Sequence, residues 1–287
     1  MRSRNLIAIA LTTLLVGACS TTPPAKRYPI QGQILAISTE RRELTIAHGD
    51  IPGLMPAMTM TYPVSNAKVL DGRTLGELVT GTLEVSESTG RIVELTHTGS
   101  APLPTGSNTA ELAAGVLDVG NPIPDTALID QTNTRRALDE WKGSTTLITF
   151  IYTRCPLPNF CPLMDQNFAA LQGVIAKDAT LRGKVKLISI TFDPDFDTPD
   201  VLADHAKKMK ADPAVWTFLT GDRLTIDRLA AKFGVSVLRE PDQPTITHNL
   251  RTILVGPDGN IAKIYSGNDW TPGAVAADVR RLQPHVP

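Results

Sequence analysis

The sequence has almost no excess charge and few aromatic residues, and both facts narrow the classes of partner. It contains 28 basic and 29 acidic residues, for a formal net charge of −1, and aromatic residues make up 5% of its 287 positions. Nucleic-acid binding depends on an excess of basic residues, so nucleic acid is not predicted as a partner. No internal repeat is visible, and the length is sufficient for two domains with separate cores.

The apolar run at the N-terminus is too short to span a membrane. Leu6–Val16 follows the basic residues Arg2 and Arg4 and ends in the small-residue sequence VGAC, so residues 1–18 are predicted to be an export signal. A cysteine directly after small residues resembles a bacterial lipobox, which implies that Cys19 is lipidated and anchors the mature protein to a membrane. The alternative is an ordinary signal peptide with an incidental cysteine. The protein is therefore predicted to be extracytoplasmic, anchored to a membrane and facing the periplasm.

The remaining chain divides into a β-rich part and an α/β part. After a polar tether at residues 19–27, five short strand patterns over residues 28–99 predict a small all-β barrel of the OB-like type. Residues 100–118 are rich in Pro, Ser and Thr and are predicted to be a linker. Residues 119–287 alternate apolar runs with helix patterns, which predicts an α/β domain with a thioredoxin-like order of elements. The predicted elements of that domain are strands at 145–152 and 184–192, a helix that buries Met164, Phe168, Leu171 and Ile175, helices at 201–210 and 226–234, a hairpin of 249–256 with 261–267, and a last helix at Pro272–Leu282.

Cysteine is scarce, since Cys155 and Cys161 are the only ones after Cys19. Both lie in ITFIYTRCPLPNFCPLM, where a strand pattern changes to a helix start. Proline is favoured in the first helical turn, so Pro162 places Cys161 at the start of a helix, where free backbone N–H groups stabilise a thiolate. Such a pair indicates thiol redox chemistry, a soft-metal site or a structural disulfide.

His248 is the residue that could decide among these alternatives. A single histidine in a polar loop is more often a surface residue than a ligand. His248, however, precedes an apolar strand that a thioredoxin-like order places beside the thiol loop. Two thiolates and one imidazole, with a fourth position open, suit Cu(I), Cu(II) or Zn(II).

The C-terminal part resembles the Sco/SenC copper chaperones, thioredoxin-like proteins involved in assembling the copper centre of cytochrome oxidase. The resemblance covers residues 120–283 and rests on TRCP…CPLM, on DPDFDTP and on the late histidine. It implies that Cys155, Cys161 and His248 bind copper, and that the copper-bearing subunit of cytochrome c oxidase is the partner. The spacing departs from the family, because five residues rather than three separate the cysteines.

The segment DPDFDTP has a structural interpretation of its own. Thr198 and Pro199 are typical of a helix N-terminus, and Asp193 ends a strand, so structural duty is favoured for the segment. Asp193 and Asp197 are also candidates to tune the metal site from behind its ligands.

The β-rich part carries a second soft-metal signal. Met55, Met58 and Met60 fall within six positions, close to His48, and in a strand Met58 and Met60 share a face. Thioethers with an imidazole prefer Cu(I), although methionine is also a common filler of barrel cores. The run AHGDIPGLMPAMTMTYPV resembles the periplasmic CusF-type copper-binding fold, which implies ligands at His48, Met58 and Met60. Met55 stands where that family has an aromatic residue that caps the metal.

Together these signals predict a membrane-tethered copper metallochaperone that delivers copper for assembly of the oxidase. The linker would raise the effective concentration of one site near the other and so favour transfer within the chain. No catalytic residue is predicted. The alternatives are a thiol–disulfide oxidoreductase that keeps the partner's cysteines reduced, or a periplasmic copper buffer. Oxidoreductases of the thioredoxin type place a proline just before the strand that faces the thiols, where this chain has Thr-Ile-Thr-His.

Overall fold

A computed structural model describes residues 25–39, 41–86, 89–103, 116–239 and 245–283. The predicted export signal, the lipidation site Cys19, most of the predicted tether and residues 104–115 of the predicted linker lie outside the described residues. Within the described part of the chain, no helix combines the length and apolar character that crossing a membrane requires.

The N-terminal domain is a single antiparallel sheet of five strands. The strand order is β3-β2-β1-β4-β5, and a bridge between Val64 and Ile92 joins the two edges, which closes the sheet into a barrel. Twelve buried apolar residues fill its interior. Its elements are β1 Lys26–Ser38, β2 Glu43–His48, β3 Met58–Pro63, a 3₁₀ turn Ala67–Leu70, β4 Glu77–Ser86 and β5 Thr89–Ser100.

Two glycines allow the barrel strands to approach closely. A Cβ on Gly32 would lie 2.3 Å from the carbonyl oxygen of Ala47, and one on Gly81 would lie 2.1 Å from that of Glu94. Any larger residue at either position would therefore collide with the neighbouring strand. β4, Glu77–Ser86, continues through Gly81, so this glycine does not end the strand.

The C-terminal domain is an α/β fold around a seven-stranded sheet. The order is β14-β13-β8-β9-β10-β6-β7, in which β8, β9 and β10 are parallel and the other pairings antiparallel. A separate two-stranded ribbon joins β11 to β12. The elements are β6 Ala127–Asp130, β7 Arg135–Ala137, β8 Thr145–Ile151, α1 Cys161–Lys177, β9 Val185–Thr191, α2 Pro199–Met209, β10 Trp216–Thr220, α3 Arg223–Lys232, β11 Val237–Arg239, β12 Ile246–His248, β13 Arg251–Val255, β14 Ile261–Ser266 and α4 Pro272–Leu282. The predicted fold class, a small barrel followed by a thioredoxin-like domain, is confirmed.

The parallel register of β8 and β9 positions the candidate site. Ile151 pairs with Thr191 at the carboxyl ends of the two strands, so the segments that follow them emerge side by side. One is the cysteine loop and the other is DPDFDTP. Functional loops of α/β sheets gather at this edge for the same reason.

The two domains pack against each other through buried polar contacts. Arg251, at the start of β13, donates to the carboxylate of Glu43, at the start of β2, and the two side chains are 1% and 4% exposed. Ser266 also donates to Glu43, and Arg41 donates to Asp118. The domains therefore share a fixed interface in addition to their covalent connection.

Candidate metal centres

Cys155 lies in the turn that follows β8, and its side chain is half-buried. Its backbone N–H donates to the carbonyl oxygen of Tyr152 over 3.3 Å, which shapes the turn. The sulfur is therefore held near the domain core and still reachable from solvent.

Cys161 is the first residue of α1 and is 1% exposed. Its Sγ atom lies 3.7 Å from Nε2 of His248, the last residue of β12. The donor atoms of Cys155, Cys161 and His248 all lie within 4.8 Å of one another. The structure thus brings together the three residues that the sequence singled out, across 87 positions between Cys161 and His248.

The ring of His248 is oriented by a hydrogen bond to the backbone of the next residue. Nδ1 lies 2.9 Å from the carbonyl oxygen of Asn249, and a carbonyl oxygen only accepts, so Nδ1 carries the hydrogen. In the neutral ring the lone pair is therefore on Nε2, the nitrogen that faces Cys161. This is the arrangement that a metal-binding histidine needs.

Three aromatic rings surround His248. The ring centroids of Phe192, Phe160 and Tyr152 lie 4.5, 5.7 and 5.9 Å from that of the imidazole. With the histidine only 7% exposed, these rings restrict its rotation and exclude water from one side of the group.

The two thiols have opposite acidity. A hydrogen bond from the Cys161 thiol lowers the pKa of Cys155 to about 4, against the opposing effect of burial. Burial, together with the neighbouring Cys155 sulfur, raises the pKa of Cys161. At Cys161, burial thus opposes the thiolate that the start of the helix was expected to stabilise. The metal-free pair holds one thiolate, at Cys155, and one thiol.

Asp193 and Asp197 hold the two residues that precede Cys155. Asp193 accepts from Nε of Arg154 at 2.7 Å. Asp197, which is 0% exposed, accepts from the backbone N–H of Thr153 at 3.1 Å and from its hydroxyl. Both carboxylates thus contact residues of the loop that carries Cys155.

His48 occupies a comparable environment in the barrel. Its Nδ1 lies 2.7 Å from the carbonyl oxygen of Gly49, so its Nε2 carries the lone pair, as in His248. That lone pair faces the hydroxyl of Tyr62 at 2.8 Å, and the same hydroxyl lies 3.5 Å from the sulfur of Met55. Burial lowers the pKa of His48, which favours the neutral ring that metal binding requires.

Met58 and Met60 lie on the strand beside His48. In the antiparallel pairing of β2 with β3, Met58 is directly opposite His48 and Met60 is opposite Ile46. Paired residues of neighbouring strands share a face, so both thioethers and the imidazole are on one face. The structure therefore places all four predicted barrel residues around one end of β2 and β3.

Two family comparisons match the two domains separately. Residues 123–283, more than half of the chain, match the family described as SCO1/SenC. The chain belongs to the SCO1/SenC family. Residues 27–97 match the family described as copper binding periplasmic protein CusF. Both resemblances are confirmed, and so is copper as the cofactor that they imply.

Relatives of this SCO1/SenC protein match about half of its length. The SCO1 protein homolog of Bacillus subtilis is 31% identical over 138 residues, which is 47% of this chain and 69% of the relative. The mitochondrial SCO1 homolog of Homo sapiens is 27% identical over 157 residues, which is 53% of this chain and 50% of the relative. The chain thus spans about half the length of the human protein.

Solved structures agree with the fold. A SCO1/SenC family lipoprotein from Bacillus anthracis superposes with a TM-score of 0.51 at 25% identity, covering 57% of this chain and 95% of that one. BsSco, described as a Sco family cytochrome c oxidase assembly protein with a disulfide switch, superposes at 0.50 and 27% identity, covering 60% and 99%.

Tyr62 is the site residue of this SCO1/SenC protein that the sequence interpretation missed. The alternation in MTMTYP carries the signal, because it places Met58, Met60 and Tyr62 on one face of β3. The barrel keeps an aromatic residue beside the imidazole, with ring centroids 5.8 Å apart, although Met55 replaces the expected one.

Proposed function

We propose that this protein is an extracytoplasmic copper chaperone, anchored by lipid at Cys19, that binds copper through Cys155, Cys161 and His248. The observation that carries the proposal is the convergence of these three donor atoms within 4.8 Å of one another. The export signal, the lipobox resemblance and the periplasmic description of the matched barrel family support the location.

The donor set selects for a soft cation. Thiolate sulfur and imidazole nitrogen suit copper, whereas magnesium and calcium prefer oxygen ligands. Cys155 is ready to coordinate as a thiolate, but the buried thiol of Cys161 must lose its proton when the metal binds. Copper loading therefore releases protons and becomes more favourable as the pH rises.

The barrel residues His48, Met55, Met58 and Met60 form the second proposed copper site. Neutral thioethers and an imidazole favour Cu(I). The hydroxyl of Tyr62 bonds to Nε2 of His48 in the metal-free structure, so it must turn away before that nitrogen can coordinate.

Delivery is supported by the accessibility of one ligand and by the relatives. Cys155 is half-buried, so a partner's ligand can approach copper from its side. BsSco is described as belonging to a family of cytochrome c oxidase assembly proteins. The proposed recipient is accordingly the copper-bearing subunit of cytochrome c oxidase.

A thiol–disulfide oxidoreductase is the second candidate function, and the two cysteines favour it specifically. Neither is in a disulfide, and the pKa of Cys155 is lowered to about 4, as in reactive cysteines. Their proximity would let Cys161 resolve a mixed disulfide formed at Cys155.

Anaerobic Cu(I) titration against a competing chelator tests the proposal. His248→Ala is compared with His97→Ala, which removes an exposed histidine of β5. Loss of a direct ligand is expected to weaken copper binding by more than the roughly 10–100-fold loss that is typical when a hydrogen-bond partner of a ligand is removed. His97→Ala is expected to bind copper with the wild-type affinity. Unchanged copper affinity in His248→Ala, together with lost disulfide-exchange activity, would select the oxidoreductase instead.

A further inference from the structure

A cavity of about 390 Å³ lies between the two domains. Its wall includes proposed ligands of both copper sites. The barrel contributes Met55, Met60 and Tyr62, and the other domain contributes Leu157, Phe160 and His248.

His248 belongs to the cavity wall and to the thiol group at once. His248 lines the cavity, and its Nε2 atom lies 3.7 Å from Sγ of Cys161. On the barrel side, Met55 lines the cavity and contacts the Tyr62 hydroxyl that occupies the lone pair of His48. Each proposed site therefore has at least one ligand residue on the wall of the same cavity.

The cavity is held in place by a buried ion pair. Glu43 begins the strand that ends at His48, and Arg251 begins the strand that follows His248 by three positions. These two residues bind each other across the interface and are nearly inaccessible to solvent. The ion pair thus fixes the strand that carries His48 relative to the strand that follows His248.

We propose that copper passes directly between the barrel site and the thiol site through this cavity, without entering bulk solvent. The inference rests on the proposed function, because both groups must bind copper. His248 is the first acceptor, since it alone belongs to the thiol group and also lines the cavity.

The transfer is a ligand exchange at constant oxidation state. A bond from Cu(I) to a thioether of the barrel breaks as one to Nε2 of His248 forms, and bonds to the two sulfurs follow. Cys161 loses its proton to solvent, and no electron is transferred. The direction follows from charge, because two anionic thiolates stabilise a cation better than neutral thioethers do. A route through docked domains differs from the sequence-based prediction, in which the linker favours transfer by raising the effective concentration of one site near the other.

Sequential-mixing stopped flow on the full, reduced chain tests this route. The metal-free protein is mixed with a Cu(I)–bicinchoninate complex, and copper capture and thiolate-to-copper absorbance are followed separately. Fresh chelator is added between the two phases. We expect this chelator to remove no copper from the wild-type protein between its capture and its arrival at the thiols.

Leu54→Trp fills the cavity from the barrel side without removing a metal donor. The variant is expected to slow the arrival of copper at the thiols by roughly tenfold or more, which corresponds to an increase of about 1.4 kcal/mol in the activation barrier. The chelator should then intercept copper before it reaches the thiols. Leu75→Trp, at an exposed leucine away from the cavity, is the matched control and should behave like the wild type. Thr247→Trp narrows the cavity from the opposite wall and provides the test if Leu54→Trp does not fold.

Equilibrium titration of the same proteins separates the two hypotheses. If either group fails to bind copper, the proposed function is wrong. If both bind it, but chelator intercepts copper in the wild type or both cavity variants transfer it at the wild-type rate, the cavity route alone is overturned.

Discussion

At the scale of single residues, the two histidines show the same device. In each, Nδ1 donates to the carbonyl oxygen of the next residue, so the lone pair of Nε2 is available to a hydrogen-bond donor or a metal ion. The rings differ in what Nε2 meets, a tyrosine hydroxyl at His48 and a cysteine sulfur at His248. This difference makes the barrel nitrogen the one that must be uncovered.

Tyr62→Phe should therefore strengthen copper binding by the barrel. The change removes the hydroxyl that competes for Nε2 of His48 and keeps the aromatic ring. A net hydrogen bond contributes about 0.5–1.5 kcal/mol, which corresponds to roughly 2–10-fold tighter Cu(I) binding. Competition titration of a variant lacking Cys155 and Cys161 measures this. Weaker binding would mean that the hydroxyl itself supports the metal.

The unequal acidity of the two thiols gives a second residue-scale prediction. In the metal-free, reduced protein, Cys155 should react with iodoacetamide at a rate that is nearly constant from pH 6 to 8, because its pKa is about 4 and it is already a thiolate. Cys161→Ala removes the hydrogen bond that lowers this pKa, so the rate should then rise with pH. A steep rise with pH in the wild type would contradict the assigned thiolate.

At the scale of elements, the ends of β8 and β9 build the cysteine loop. Asp197 follows β9 and accepts hydrogen bonds from Thr153, two residues before Cys155. Asp193 contributes through Arg154. The structural role that the sequence favoured for this segment is therefore compatible with an influence on the metal site.

Asp197→Asn should loosen this loop. The amide nitrogen would face donors where an acceptor oxygen now lies, at a cost of about 1–3 kcal/mol in the free energy of unfolding. Copper affinity should fall by roughly 10–100-fold. Asp200→Asn, in the exposed first turn of α2, is the control for the loss of a carboxylate. Destabilisation without weaker copper binding would confine Asp197 to a structural role.

Elements with strong local signals were predictable from the sequence, and weak ones were not. The last helix, Pro272–Leu282, has the predicted bounds because Thr271 caps it and Pro272 occupies its first turn. The short strands β6, β7 and β10 were not predicted, since three to five residues carry too little periodicity. The proximity of His248 to the thiols was suggested by the order of elements and by the Sco/SenC resemblance, not by a local sequence pattern.

At the scale of the whole molecule, the interface between the domains was beyond reach of the sequence. Glu43 and Arg251 are 208 positions apart, and neither lies in a distinctive motif. Their pairing depends on how two independently folded surfaces meet. A buried ion pair is costly to break, because the remaining charge has no partner.

Glu43→Gln should separate the unfolding of the two domains. We expect a loss of about 3–5 kcal/mol and two calorimetric transitions where the wild type has one. Glu84→Gln, which removes the two ion pairs that Glu84 forms with Arg27 and Arg91 within the barrel, is the matched control. Two transitions in the wild type would contradict a shared interface.

Lowering the pH should also separate the unfolding of the two domains in the wild-type protein. Burial raises the pKa of Glu43, but its ion pair with Arg251 and its bonds to Ser266 and Arg41 lower it overall. Because the pKa of Glu43 is lower in the folded state than in the unfolded state, where it is about 4.3, ionised Glu43 stabilises the folded protein above that pH. This stabilisation is lost as the pH falls through the pKa of the folded state. The acid-induced separation of transitions should be absent from Glu43→Gln, in which the domains are already uncoupled.

X-ray absorption at the copper edge tests the central claim most directly. The protein is loaded with one equivalent of copper in a background of Met55→Leu, Met58→Leu and Met60→Leu, so that the barrel thioethers cannot contribute. The account predicts two sulfur ligands and imidazole nitrogen, with the imidazole signal lost in His248→Ala and kept in His97→Ala. A spectrum without sulfur, or one that His248→Ala leaves unchanged, would contradict it.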